Sequence, residues 1–482
     1  MNKLRTLISA AVITLAAPVW ATAEMFTLHQ TLHQVMRSYP SVEIARLQAR
    51  RAQLDVIKAR SMLGWTLGGQ VGASHDLSPF SGTPSDSANL NVDLSRPLSS
   101  GGSFGIGSSY SYEDSSFSFS AAFPNPSHLT RVDANYRLPL AQGAGNPQYN
   151  EGLKSAKAGE RIARANAQSV RDGLAMQTME LFFIAALTKA QLETSNDSVD
   201  RARRLKKYIR GNARLGLSEE KDLLQADAQL QARIADYDAL LTIWEQQRTS
   251  INRLLNRPRT EEFTPVLHDK DGSVSADVDT ILQQVKAYSP DLHRQLAQIE
   301  IAESQLVTSK DSAKSTFDLV FAVGYGNKQG PATPPVNESD YVASARLEFR
   351  KSLDNSGNEA VVTQAMLDRS IALREAKRIR NDLKYNVAGL IAEIEKTNKS
   401  LASQQQRVII ERKKIDEASK RYRSGRTDTT QLIQFENDYQ LSKLARERQR
   451  IELARKHASL DLMRGILLRD AMAPSAGRKG EQ

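Results

Sequence analysis

Residues 148–210 set the tightest limit on what this chain can fold into. Val170, Leu174, Leu181 and Ile184 recur there at heptad-like steps in a matrix of Ala, Gln, Lys and Arg, the mark of one apolar helical stripe. A single helix over that range is about 95 Å long, more than a compact core can use. The same pattern covers roughly 218–256, 357–421 and 426–468, with shorter stretches at 41–64 and 290–314. Stripes with so little bulk predict long helices packed side by side as in coiled coils. With only 16 Pro and 26 Gly in 482 residues, little interrupts such helices.

A second periodicity fills the gaps between them. Leu67, Gly69, Val71 and Ala73 alternate with polar or small residues, as do Leu90, Val92 and Leu94, then Phe104, Ile106, Tyr110 and Tyr112, then Val132, Ala134, Tyr136 and Leu138. Later come Phe317, Leu319, Phe321, Val323 and Tyr325, and Tyr341, Ala343, Ala345, Leu347 and Phe349. Strands are thus expected within 66–140 and 316–350. Runs of about ten residues with one apolar and one polar face suit the wall of a membrane β-barrel. A sheet half-buried on a soluble core would show the same alternation, so the choice rests on a different segment.

That segment is the N-terminus. Lys3 and Arg5, an apolar stretch from Leu7 to Ala17, Pro18 and the small-residue run Ala21-Thr22-Ala23 read as a signal peptide over 1–23, leaving a mature chain from Glu24. No later apolar run reaches the ~18 residues of a spanning helix, and the mean hydropathy of −0.46 agrees. An exported chain with these strands favours the barrel wall. Lys plus Arg number 65 against 55 Asp plus Glu, a formal +10. Losing Lys3 and Arg5 lowers it to +8. The basic runs at 201–207 and 411–414 have acids nearby and are expected to be solvated helix faces, with no nucleic acid as partner.

Chemistry leaves no trace in the sequence. With no Cys at all, disulfides, thiolate metal sites, Cys nucleophiles and a lipidated N-terminal Cys are excluded. His29-Gln30-Thr31-Leu32-His33 lacks the Glu of a zinc-protease helix. There is no GxSxG and no P-loop, and 101–107 (GGSFGIG) does not fit the dinucleotide pattern. No catalytic residue, metal or cofactor is expected, and no enzyme.

The chain also repeats itself. Residues 38–72 resemble 288–324, Asn150-Glu151 matches Asn358-Glu359, and 214–225 (RLGLSEEKDLLQ) matches 423–434 (RSGRTDTTQLIQ). The repeats are expected at 24–256 and 288–470, with a linking equatorial segment at 257–287 and a flexible tail at 471–482. The first copy carries roughly 42 extra residues, on the offsets between these matches.

This ordered repeat of helix, strands, long helix, Gly-bearing turn and helix resembles the TolC-type outer-membrane efflux channel family, the outer membrane factors. The likeness covers 25–470 and is carried by the repeated architecture and the turns RLGLS and RSGRT. It implies an α+β membrane protein: a homotrimer whose strands form one shared barrel in outer-membrane lipid, continued by a periplasmic helical coiled-coil barrel. It further implies a passive exit duct for drugs, metals or polypeptides in tripartite efflux or type I secretion. Its partners would be a periplasmic membrane-fusion adaptor and an inner-membrane pump of RND, ABC or MFS type. A periplasmic or surface coiled-coil scaffold or adhesin without a pore is the alternative. In the family, two shorter helices stack alongside each long one, and the lengths of 41–64 with 218–256 against 148–210 fit that scheme.

By position, the resemblance places adaptor docking at the turns Arg214, Leu215, Gly216, Leu217, Ser218 and Arg423, Ser424, Gly425, Thr427. It places the pore gate at Asp222 and Tyr422, which would link neighbouring helices. The family's partner arginine falls on Thr427, one place from Arg426. Its paired constriction aspartates fall on Gln431 and Gln434, both neutral. A second departure concerns the strands. The family has four per protomer, whereas 88–98, 103–123 and 129–140 add more, with RPLSSGG (96–102) and LPLAQGAG (138–145) resembling two copies of one strand end. The surplus is either an extra hairpin in the wall, with Ser99–Gly102 facing the periplasm, or an extended outer loop.

Overall fold

The computed structural model describes residues 25–77, 84–115, 120–214, 218–267, 277–424 and 426–473. The expected signal peptide, Leu215, Gly216, Leu217, Gly425 and the tail from 474 lie outside them. In chain order the elements are β1 (Met25–Phe26), α1 (Leu28–Ser38), α2 (Pro40–Ser61), β2 (Thr66–Leu77), β3 (Pro84–Pro97), β4 (Ser103–Ser115), β5 (Ser127–Pro139), α3 (Pro147–Arg214) and α4 (Glu220–Leu254). Then follow β6 (Thr264–Pro265), α5 (Val278–Tyr288), α6 (Pro290–Ser312), β7 (Thr316–Gly330), β8 (Val336–Arg350), α7 (Ser356–Arg423), α8 (Thr429–Met463) and α9 (Ile466–Met472). The α3 and α7 helices are each 68 residues long, and α4 and α8 each 35. No described helix is long and apolar enough to cross a membrane.

The chain forms two compact units, one of residues 40–171 and 282–386, the other of 1–39, 172–281 and 387–482. The first holds a six-stranded antiparallel sheet in the order β2-β3-β4-β5-β7-β8. All four strands of the first half are therefore in one meander, and the surplus is a hairpin, β3–β4, rather than an extended loop. Register aligns the apolar residues across every strand: Leu67, Leu94, Ile106, Ala134, Val323 and Ala343 form one row, and Gly69, Val92, Ser108, Val132, Tyr325 and Tyr341 the next. This face is open, with Val71 80% and Leu67 72% exposed. Since side chains alternate, a slip of one residue would move the whole apolar set to the other face.

Helices α2, α3, α6 and α7 all join the sheet at one end, where the 98–102 turn also lies. Of the strand expected over 103–123, β4 covers Ser103–Ser115, 116–119 lie outside the described residues, and 120–123 form a turn. Pro124 and Pro126 cannot donate to a ladder, and the Asn125 amide closes the hairpin on the backbone of Ser115, at 2.9 and 2.6 Å. At the start of α3, Pro147 occupies the first helical position while the Asn146 carboxamide accepts from the Tyr149 N–H at 3.1 Å, so the helix begins with its orphan donors served. Arg161 pairs with Glu300 of α6, and Arg369 of α7 with Glu303 at 3.1 Å. Ala158, Ala165, Ala365, Ala372 and Ala376 are buried, and such small residues let backbones approach closely.

The second unit is helical apart from the parallel pair β1–β6. Its core contains Leu32, Val35, Phe182, Ile209, Ile251, Phe263, Ile394 and Leu467, all fully buried. Phe263 stacks on Phe26 at 5.3 Å and meets Phe182 edge-on at 6.3 Å. Along α7, Val387, Ile394 and Leu401 are buried at steps of seven, the coiled-coil signature. The helix expected over 426–468 is split. Gly465 takes a left-handed conformation at φ 71, which ends α8 as glycine commonly does and starts α9.

Candidate functional site

The sheet presents two chemically distinct faces. The face opposite the apolar rows carries Gln70, Asn91, Ser109, Arg131, Gly326 and Asp340 in one cross-strand row, and Gly68, Asp93, Gly107, Asp133, Gly324 and Val342 in another. Its polar side chains lie flat. Asp93 covers the space a Cβ would need at Gly68, Asn89 does so at Gly72, and Asn135 at Gly105. At the end that joins the helices, Arg137 pairs with Asp318, whose side chain is only 4% exposed. Gly143 donates its N–H to the buried Asp311 at 2.9 Å. Trp65 packs edge-on against Phe104 at 6.2 Å, with the Arg96 guanidinium 5.8 Å from its ring centre.

In the helical unit the residues expected at a gate are brought together around one helix turn. Tyr422 lies at the C-terminal end of α7, and its hydroxyl shares a 3.0 Å hydrogen bond with Thr429 Oγ1 at the start of α8. The link expected with Asp222 is not among the hydrogen bonds of the described residues; within the chain the turn returns Thr429 to the phenol. Asp222 sits in the first turn of α4, where the helix dipole favours a carboxylate. It bears on Tyr422 through charge. Burial pushes the phenol's pKa up, and the Asp222 carboxylate adds to this against the Thr429 hydrogen bond. The Tyr208 ring of α3 lies 5.9 Å away.

The remaining gate and turn residues serve local structure. Asp428 caps α8 by accepting from the Gln431 N–H at 2.7 Å, the Thr427 hydroxyl donates to the Gln431 side chain, and Gln434 donates to Asp438 at 3.2 Å. Arg426 donates its backbone N–H to Arg421 at 2.9 Å. Ser424 bonds back to Arg421 through both N–H and hydroxyl, while Arg214 and Arg423 are the last residues of their helices. Ser218 leads into α4.

Sequence reasoning missed a polar network beside these residues. A cavity of about 410 Å³ is lined by Arg201 and Tyr208 of α3, Arg412 and Tyr422 of α7, and Leu432 and Glu436 of α8. Arg201 Nε donates to Glu436 at 2.9 Å, with the side chains 20% and 26% exposed. Burial raises the pKa of Glu436, opposed by the Arg201, Arg412 and Arg204 charges. Three cations, Arg201, Arg412 and Lys443, lie 5.6–5.9 Å from the Tyr439 ring centre. Lys206 pairs with Asp227 of α4, and Lys414 with Asp438 at 2.9 Å. The basic runs are therefore not simply solvated. Arg201 and Lys206 turn inward to acids on other helices.

No protein-family model and no curated protein matches the sequence. Solved structures match in fold. The chain is similar to the outer-membrane channel OprN at a TM-score of 0.67 and 16% identity, over 91% of this chain and 89% of that one. It is similar to the outer membrane protein VceC of Vibrio cholerae at 0.66 and 13%, over 92% and 96%. The open state of the Neisseria gonorrhoeae MtrE outer membrane channel aligns at 0.59 and 15%, over 91% and 88%. The chain has the α+β fold of outer-membrane channels.

Proposed function

We propose that this chain is the protomer of a homotrimeric exit duct in the outer membrane, exported by its residues 1–23 and built from the repeats 24–256 and 288–470. It would conduct cargo passively from a periplasmic adaptor and an inner-membrane pump to the outside, with no chemistry on the cargo. The observation that carries this reading is the sheet: six strands, an apolar row from Leu67 to Ala343 running edge to edge on one face, a mostly polar opposite face, and the outer sides of the edge strands β2 and β8 unpaired in the single chain. Open edges are not tolerated in lipid, so β8 of one copy must meet β2 of the next. Exposed apolar side chains on α2 (Ile44, Leu47, Leu54 and Ile57) repeat at steps of three and seven and suit a neighbouring copy in the same way. The matched lengths of α3 with α7 and of α4 with α8 support the repeat.

The turns at 214–218 and 423–427 would dock the adaptor, and Asp222, Tyr422, Arg426, Gln431 and Gln434 would line the entrance that opens. Purified from membranes, the protein should have the mass of a trimer in detergent and conduct ions in planar bilayers. A soluble, non-conducting monomer with full strand content would end this reading and leave the scaffold.

A further inference from the structure

We infer that the outer exit of this duct is an eighteen-stranded barrel, wide enough to pass hydrated, polymer-sized cargo rather than small molecules only. This rests on the trimeric reading above and takes the six strands of each protomer as wall. At a strand spacing near 4.8 Å and a tilt near 40°, eighteen strands give a backbone radius of about 18 Å, against about 12 Å for twelve.

The extra hairpin belongs to the wall on three counts. First, β3 is paired along its length on both sides, with β2 from Leu77↔Pro84 to Thr66↔Ser95 and with β4 from Ser85↔Ser115 to Pro97↔Ser103. Second, its faces continue those of the neighbours: Leu94 and Ile106 stand in the row of Leu67 and Ala134, and Asp93 and Gly107 in the row of Gly68 and Asp133. A loop standing in water has no reason to keep Leu90, Val92, Leu94 and Ile106 on one face in register with its neighbours. Third, its turn is tied into the joint between strands and helices. Ser100 accepts from the Gly145 N–H at 2.9 Å, and Leu98 accepts from the Asn146 side chain at 2.8 Å. Gly101, at φ 92, packs its backbone on Gly143 with no room for a side chain.

The bore inside such a wall is lined along β2, β3 and β4 mostly by Gly, Ser, Asn and Asp. Asp93, Asn89 and Asn135 lie over glycines of the adjacent strand, and both signs of charge occur, Arg131 and Lys328 with Asp133, Glu338 and Asp340. A hydrated polymer of either charge meets neither bulk nor a single-sign field. The barrel therefore imposes no small-molecule size limit of its own.

The chain lacks Cys, so single-cysteine variants test the wall directly in membranes. With a bulky membrane-impermeant maleimide, Asn91→Cys, Asp93→Cys and Ser109→Cys should label, whereas Leu90→Cys, Val92→Cys and Ile106→Cys should label only after unfolding. Equal labelling of both sets overturns the inference, because the hairpin then stands in water. The bore is sized in planar bilayers by polyethylene glycols of graded radius added from the outer side. The largest polymer that lowers conductance should be at least about 1.5-fold wider than for a variant lacking 84–115, since backbone radii follow strand number and the lining side chains take the same thickness from both. If deletion prevents assembly, a channel of known twelve-stranded exit serves as the reference. A conducting protein with the cut-off of twelve strands overturns the inference alone, and one that never conducts overturns the duct itself.

Discussion

Across the sheet, the row Leu67, Leu94, Ile106, Ala134, Val323 and Ala343 runs from one edge to the other without a polar side chain. The four helix ends of the other unit meet instead through Arg201–Glu436, Lys206–Asp227, Lys414–Asp438 and Arg233–Asn437. On the proposed reading this face meets lipid, and a charge set in its apolar rows violates the one solvent requirement it has to satisfy. On the same reading the helices of the other unit separate to open, and such a bundle needs contacts that water can replace. Polar pairs supply them, since solvated charges recover much of what they lose. The contrast is therefore between a region specified by solvent and one specified by partners, and substitutions should separate the two.

The largest effect belongs to the wall. Ile106→Arg or Val323→Arg puts a charge in the middle of the apolar rows and should cost about 2–4 kcal/mol, enough to abolish assembled, heat-modifiable oligomers on gels. On the opposite face Ser109→Arg should change stability by no more than about 0.5 kcal/mol. Equal loss from both would show that the sheet does not divide lipid from water.

In the bundle, Arg201→Ala strands Glu436 in a cavity that burial already makes unfavourable for its charge. Local opening should become easier by about 1–3 kcal/mol, read as faster amide exchange in α3 and α8. Adding Glu436→Gln should recover part of it, because a buried charge without a partner costs more than no pair at all. The same burial gives a pH dependence. With its folded pKa raised by burial, Glu436 favours the closed bundle most fully below its ordinary carboxylate value. That contribution fades as pH rises through the folded value. Amide protection in α8, taken relative to the intrinsic exchange rate at each pH, should rise on mild acidification in the wild type, and Glu436→Gln should flatten the response. Arg201, Arg204 and Arg412 face the same carboxylate and stay charged throughout.

The two regions differ as much in legibility. Period-two runs marked all six strands, because each residue's face follows from its own identity. The long helices were equally plain, since Val387, Ile394 and Leu401 keep step along α7. That β3–β4 stays in the sheet could not be read from alternation, which a loop lying on another surface could share; the backbone ties of Ser100 and Leu98 decide it. At the gate, the family resemblance brought Tyr422 and Asp222 to attention by position, whereas the Thr429 hydroxyl went unnoticed. Thr429 reaches the phenol only because a short turn folds back between α7 and α8. Arg201 and Glu436 are 235 positions apart, and no pattern within either helix announces the pair.

A smaller effect tests that turn. Tyr422→Phe and Thr429→Val each remove one hydroxyl from the same hydrogen bond, worth about 1 kcal/mol. If this bond holds the entrance closed, either variant should raise resting single-channel conductance about fivefold in open probability, and the double variant little further. Asp222→Ala, which acts on the phenol through charge, should do less. An Asp222→Ala effect exceeding that of Thr429→Val would restore the carboxylate as the partner in the assembled channel.

The smallest expected effect is the response to multivalent cations. Gln431 and Gln434 stand on the exposed side of the first turns of α8, and neither carries charge. The acids beside them are already engaged, Asp428 in capping α8 and Asp438 with Lys414 and Gln434. Three copies of such a site should hold a trivalent cation weakly, and added salt should release it, since exposed charges are screened within about 10 Å at 0.1 M. Gln431→Asp with Gln434→Asp adds two carboxylates per protomer where the wild type has amides, and block should then appear at low salt and fade as salt rises. Gln431→Asp also removes the acceptor arrangement of the Thr427 hydroxyl, so Gln434→Asp alone separates charge from any change in the turn. Tight block of the wild type would place an acidic ring elsewhere along the bore. The polar face of the sheet, with Asp93, Asp133 and Asp340, is the first place to look, and Asp93→Asn with Asp133→Asn would then relieve it.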